Sequence, residues 1–179
     1  MAVHDDEEDG DLMGFFNKPD ALPAEPSGLA PLSDARIKAV LDARGYNYGV
    51  DGDGDIGGIW DDHLFYFLRI GSEQEHLQVR GRWSRPLSAA HYTAVLELAN
   101  EWNINKLFPK TYVRVEDGDL GVYAEHTVDY EPGLTDEQLD QHLACGVSTA
   151  LSFFGLLDER FPEAVEQFRA MDAARREQE

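Results

Sequence analysis

A helix that has to stop and a hairpin that has to follow it set the terms for this chain. In the stretch Leu96–Thr127, Asn100, Asn103 and Asn105 crowd a helix exit and Pro109 keeps the helix from resuming. Alternating Tyr112/Val113/Val115 and Leu120/Val122/Tyr123 then flank an Asp117-Gly118 turn. A tight turn of that kind joins strands antiparallel, so the sheet this segment enters is antiparallel and lies next to a helix.

The segments on either side extend the pattern. Ser33 is placed as an N-cap, Ile37, Val40 and Leu41 recur at helical spacing, and Gly45 supplies a left-handed stop, which predicts a helix over 33–44. Tyr46–Val50 reads as a strand, Asp51-Gly52-Asp53-Gly54-Asp55 as a turn, and Ile56–Trp60, His63–Ile70 and His76–Trp83 as further strands of a meander. Pro86 and Ser88 open a helix whose stripe is Tyr92, Val95, Leu96, Ala99 and Trp102. Thr135 with Gln138 forms a capping box for a long helix over 136–160. Leu139, Leu143, Val147, Ala150, Leu151, Phe154 and Leu157 face the sheet, while Phe153 and Leu156 form a second apolar face. The expected fold is α+β: about five to six antiparallel strands against helices, in the order α-β-β-β(-β)-α-β-β-α.

Domain limits follow from composition. Residues 1–31 carry Asp5-Asp6-Glu7-Glu8-Asp9, four prolines and one apolar island, Leu12-Met13-Gly14-Phe15-Phe16, and are expected to be a disordered acidic arm. The island reads as a docking motif or as a transient apolar patch. Residues 32–161 form one domain, and 162–179 a frayed tail helix with Val165, Phe168 and Met171.

The formal charge of −20 and a pI near 4.4 repel phosphate backbones and anionic lipid, so neither nucleic acid nor a membrane surface is an expected partner. Arg69, Arg80, Arg82 and Arg85 read as solvated strand faces and a blunted edge. No signal segment or membrane span is evident, and the single Cys145 sits in an apolar helical pattern as a core thiol, which points to a cytoplasmic protein.

Catalytic and metal chemistry find little support. Asp51, Asp53 and Asp55 occupy the first three ligand positions of a calcium loop, and Asp62 the twelfth. Ile56 stands where that loop needs glycine, and strands flank it, so these residues read as an acidic hairpin turn and no metal is expected. Gly146–Ala150 mimics a nucleophile elbow but lies inside a helix, leaving Ser148 as a small residue for close packing. His142 and Cys145 make only half a metal site, and no cofactor is expected.

The order helix, meander, helix, hairpin, long helix, together with Asn100-x-x-Asn103, the Lys110–Leu120 hairpin and Ile37–Tyr46 running into Gly-Tyr, resembles the YbjN domain family of bacteria. The likeness spans about Leu32–Phe161. It implies a fold similar to the type III secretion chaperones, whose sheet serves protein binding, in a family described as sensory transduction or stress regulators. It brings no catalytic residues. The expectation is therefore a non-enzymatic chaperone, adaptor or regulatory module that binds protein through Trp102, Phe153 and Leu156, with Asn100 and Asn103 shaping the turn and a homodimer favoured. The alternative is a small-molecule-binding domain or enzyme with a site between sheet and helices, using Asn103, Arg114 and His126.

Overall fold

In the computed structural model, which describes residues 28–177, the chain runs α1 (Asp34–Ala43), β1 (Gly49–Val50), β2 (Ile56–Trp60), β3 (His63–Ile70) and β4 (His76–Arg82). A 3-10 turn over Ala89–His91 leads into α2 (Tyr92–Asn105), followed by β5 (Lys110–Glu116), β6 (Asp119–Asp129), α3 (Asp136–Arg160) and α4 (Pro162–Arg176). All pairings are antiparallel, in a six-stranded sheet of order β1-β2-β3-β4-β6-β5. The fold is α+β.

Local chemistry accounts for the element ends. Asp117 and Gly118 both take positive φ, 52° and 93°, which matches the strand twist and sets Glu116 opposite Asp119. Gly45 at φ 68° lets Tyr46 N–H reach back 3.0 Å to the Leu41 carbonyl and closes α1. Thr135 Oγ1 accepts from Gln138 N–H at 3.2 Å while Gln138 Oε1 accepts from Thr135 N–H at 2.9 Å, completing the capping box of α3.

The helices cover one face of the sheet. Phe65, Phe67, Val79, Trp83, Val122 and Ala124 point into it, meeting Leu139, Leu143, Phe153, Phe154 and Leu157 of α3 and Val95 and Ala99 of α2. Close approach of α3 depends on Gly146, where a Cβ would lie 2.6 Å from Val79 Cβ. Ser148, expected in that packing role, is exposed and donates to the Cys145 carbonyl. Cys145 itself is half-buried, and burial pushes its thiol upward.

The helix exit is fastened to the hairpin by Asn103. Its Nδ2 donates to the Thr111 carbonyl and its Oδ1 accepts from Thr111 N–H, both at 2.9 Å, while Thr111 Oγ1 donates to the Ala99 carbonyl at 3.0 Å. Asn100 is exposed on α2. Asn103→Ala is expected to cost on the order of 1 kcal/mol. Chemical denaturation would show it as a lower midpoint, and an unshifted midpoint would count against the fastening role.

Several sequence expectations need correction. The first strand is only Gly49–Val50: Tyr46 gives its N–H to the Leu41 carbonyl at the end of α1, and its ring stands edge-on to Trp60, 5.5 Å between centres. β4 lies between β3 and β6, so its arginines blunt no edge. Arg85 is 8 % exposed, with its guanidinium 4.3 Å from the Phe168 ring centre, and is not solvated. At the amino end, residues 1–27, including Leu12–Phe16, lie outside the described residues; Ala30, assigned to the arm, pairs with Leu134 in both directions at 3.0 and 3.1 Å. At the other end, α4 places Ala164 in the core.

Candidate functional site

The end of α2 meets the carboxyl half of α3 through the Trp102 side chain. Val95 and Ala99 bury their side chains, and the Trp102 ring packs 5.3 Å from that of Phe153. Trp102 is held in place because its Nε1–H donates to the Phe108 carbonyl at 3.2 Å, and Lys106 Nζ lies 5.8 Å from its ring centre. Between the helices runs an open groove of about 450 Å³, its apolar wall formed by Leu98, Trp102 and Leu156. Gly155 provides the floor, with nothing within 4 Å of where its Cβ would be. Glu101, Lys106 and Glu159 make a charged rim.

The end of α2 and the loop after it add exposed apolar surface, with Leu107 and Phe108 lining a second depression together with Lys110, Glu125 and His126. Ile104 is 73 % exposed, Leu107 91 % and Phe108 46 %. Side chains of this size normally gain ~1.5–3 kcal/mol from full burial, so three of them at the end of α2 and in the loop after it form a surface with a strong preference for a cover. Sequence reading missed them because Leu107-Phe108 before a proline looks like ordinary strand or turn residue choice.

Trp102 and Leu156, both expected in a binding surface, line the same groove. Phe153 does not. It is 0 % exposed beneath Trp102 and against Phe154, because α2 covers the second apolar face that sequence periodicity left open. The polar residues of the alternative reading do not converge: Asn103 is spent on Thr111, Arg114 points to the uncovered sheet face, and His126 lies on the core side of β6. The His126 and His142 rings stand 5.4 Å apart, and burial lowers the pKa of both.

The acidic turn joins β1 to β2. Asp51 Oδ1 accepts the N–H groups of Asp53 and Asp55, each at 3.0 Å, so its carboxylate is already engaged by backbone. Among the described residues, no group of three or more His, Cys, Asp or Glu side chains is arranged to hold a metal ion. Millimolar calcium is accordingly expected to leave Tm where magnesium at equal ionic strength leaves it. A rise specific to calcium in a thermal melt would contradict this reading of the turn.

Among the described residues, no helix is long and apolar enough to cross a membrane. The family model of YbjN, described as a "putative bacterial sensory transduction regulator", matches residues 33–159. Of solved structures, YbjN from E. coli, described as a "putative transcription regulator", is similar at TM-score 0.61 and 11 % identity, over 75 % of this chain and 96 % of that one. An uncharacterised protein from Methanothermobacter thermautotrophicus is matched at TM-score 0.48 and 17 % identity, over 73 % of this chain and 99 % of that one. A chain of the HopA1–SchA chaperone–effector complex is matched at TM-score 0.43 and 14 % identity, over 69 % and 95 %. No curated protein matches by sequence.

Proposed function

We propose, from the premise that the chain belongs to the YbjN family, that it is a non-enzymatic protein-binding module of adaptor, chaperone or regulatory type that receives its partner in the α2–α3 groove. The observation carrying this reading is the open groove itself, walled by Leu98, Trp102 and Leu156 and followed along the chain by the exposed Ile104, at 73 %, and Leu107, at 91 %. A loop can hide such residues by turning them inward. Here the Asn103–Thr111 clasp and the Trp102–Phe108 hydrogen bond fix the loop with Leu107 outward and the Phe108 ring edge-on to His126, 4.6 Å between centres.

The groove suits one or two large apolar side chains of an amphipathic helix or extended segment, with Glu101, Lys106 and Glu159 selecting the flanking charges. The description of the family as regulators is in keeping with a protein partner. A second copy of this chain would meet the same requirement and make a homodimer.

The test uses the full chain as bait beside its Leu107→Ser and Leu156→Glu variants, with oligomeric state followed by light scattering. A protein, or a second copy, retained by the parent and lost by both variants at unchanged circular dichroism is the expected result. Retention unaffected by either change, or a parent that is monomeric and retains no protein, overturns the proposal.

A further inference from the structure

The sheet face that the helices leave uncovered is sorted by chemistry across its strands. At the β5–β6–β4 side, four cations share two carboxylates. Glu125 receives Arg80 at 2.8 Å and Lys110 at 2.5 Å, and Glu116 receives Arg114 at 2.6 Å and Arg82 at 3.1 Å. Glu125 lies beneath, its side chain 4 % exposed, and that of Glu116 is 27 % exposed, against 64 % and 60 % for Lys110 and Arg114. Tyr112 and Tyr123 stack at 5.2 Å, with Arg114 4.6 Å from the Tyr123 ring centre. In a chain of formal charge −20, this patch presents positive charge outward.

The next strands are apolar. Leu64, Tyr66 and Leu68 of β3 are half-buried, Ile59 of β2 is 61 % exposed, and a depression of about 250 Å³ opens beside Ile59 and Tyr66 over Gly57 and Gly58. At the β1–β2 turn the face ends in exposed Asp51, Asp53 and Asp55. The sequence across the sheet is therefore cationic, apolar, acidic.

The amino-terminal residues of the same chain carry the complementary order: Asp5-Asp6-Glu7-Glu8-Asp9, then Leu12-Met13-Gly14-Phe15-Phe16, then Lys18. We propose that residues 5–18 lie across this face. The acids meet Lys110, Arg114, Arg80 and Arg82, the Leu12–Phe16 island covers Ile59 and Tyr66, and Lys18 meets the Asp51–Asp55 turn. Spacing permits it. Strands lie about 4.8 Å apart, so β5 to β2 spans roughly 19 Å, and the seven residues from Glu7 to Gly14 reach about 23 Å. The described chain begins at the right end: Ala30 pairs with Leu134 and Asp34 with Arg69, beside the Ile70–His76 turn and at the same end of the sheet as the acidic turn. Ten residues from Lys18 to Gly28 reach about 33 Å, enough to arrive there. The arm then acts as an internal ligand, distinct from the α2–α3 groove, that other acidic, aromatic-bearing segments must displace.

The full chain tests this, since changes in residues 5–16 leave residues 28–177 untouched. At 20 mM salt, amide relaxation of residues 5–18 should match the domain, and chymotryptic cleavage at Phe15–Phe16 should be on the order of tenfold slower than at 500 mM salt, where screening is nearly complete. Neutralising Asp5–Asp9 to Asn and Gln, or Lys110→Glu with Arg114→Glu, should abolish that protection. Reversing the arm's charges to Lys should restore it when combined with the Lys110→Glu and Arg114→Glu changes. Fast amide motion at low salt overturns the proposal, as does protection insensitive to these changes. Shifts centred on Trp102 and Leu156 instead of Tyr66 and Tyr123 overturn the placement, and protection lost on dilution assigns the arm to another molecule and overturns the same-chain occupancy.

Discussion

Replacing Phe154 by alanine is expected to remove roughly 3–5 kcal/mol of stability, a large share of the ~5–15 kcal/mol a domain of this size has in total. Phe154 is 0 % exposed and stands between α3 and the β3–β4 part of the sheet, with ring centres 4.8 Å from His63, 6.1 Å from Phe65 and 6.2 Å from Phe153. Its surroundings cannot collapse into the space. Gly81 has no side chain to move in, and the position of its absent Cβ already lies 3.0 Å from the Phe154 ring. In urea, the Cm of Phe154→Ala should fall sharply with the m-value unchanged. A loss under ~1 kcal/mol would mean that α3 does not pack as described. Leu156→Ala, two residues on but in the open groove, is the contrast: it should cost far less stability and act on partner retention.

That contrast marks where sequence stopped being informative. Helical periodicity placed Phe154 toward the sheet and showed that Phe153 and Leu156 shared another face, but it could not say what covers that face. The answer depends on α2, some 50 residues earlier in the chain, whose Trp102 ring caps Phe153. The hairpin, the capping box and the Gly45 stop were legible because each is decided within about five residues by backbone chemistry. The position of β4 inside the sheet was not. Its partner β6 follows only after α2 and β5, and nothing local records that pairing. The same holds for the outer face: Arg80 and Arg82 look like isolated solvated charges until register sets them opposite Glu125 and Tyr123.

Acid should destabilise the fold through His63 before the paired carboxylates titrate. His63 is 2 % exposed, and its Nδ1 accepts the Ser84 N–H at 3.0 Å, a bond the protonated ring cannot accept. Burial first, then the nearby Arg85 guanidinium, lowers its pKa to about 4, while Asp158 and Asp62 pull weakly the other way. In the unfolded chain the imidazole titrates near its ordinary value of ~6.5. Between these limits the unfolded state takes up a proton that the native state refuses, so stability falls as pH drops from about 6.5 to about 4 and levels off below. The full difference corresponds to roughly 3 kcal/mol. Carboxylates such as Glu116, held low chiefly by its hydrogen bond from Tyr123 and further by Arg114 and Arg82, lose their contribution as pH falls on from the ordinary carboxylate range. The upper part of the window therefore belongs to histidines. Unfolding free energies of the parent and His63→Gln, which keeps an acceptor for Ser84, should be compared at pH 7, 5 and 4. The advantage of the parent should shrink or reverse as pH falls, and the His63 ring shifts should titrate near 4. A ring midpoint at 6.5, or parallel pH profiles for the two proteins, would show that the imidazole is not buried between Phe154 and Ser84 as the structure has it.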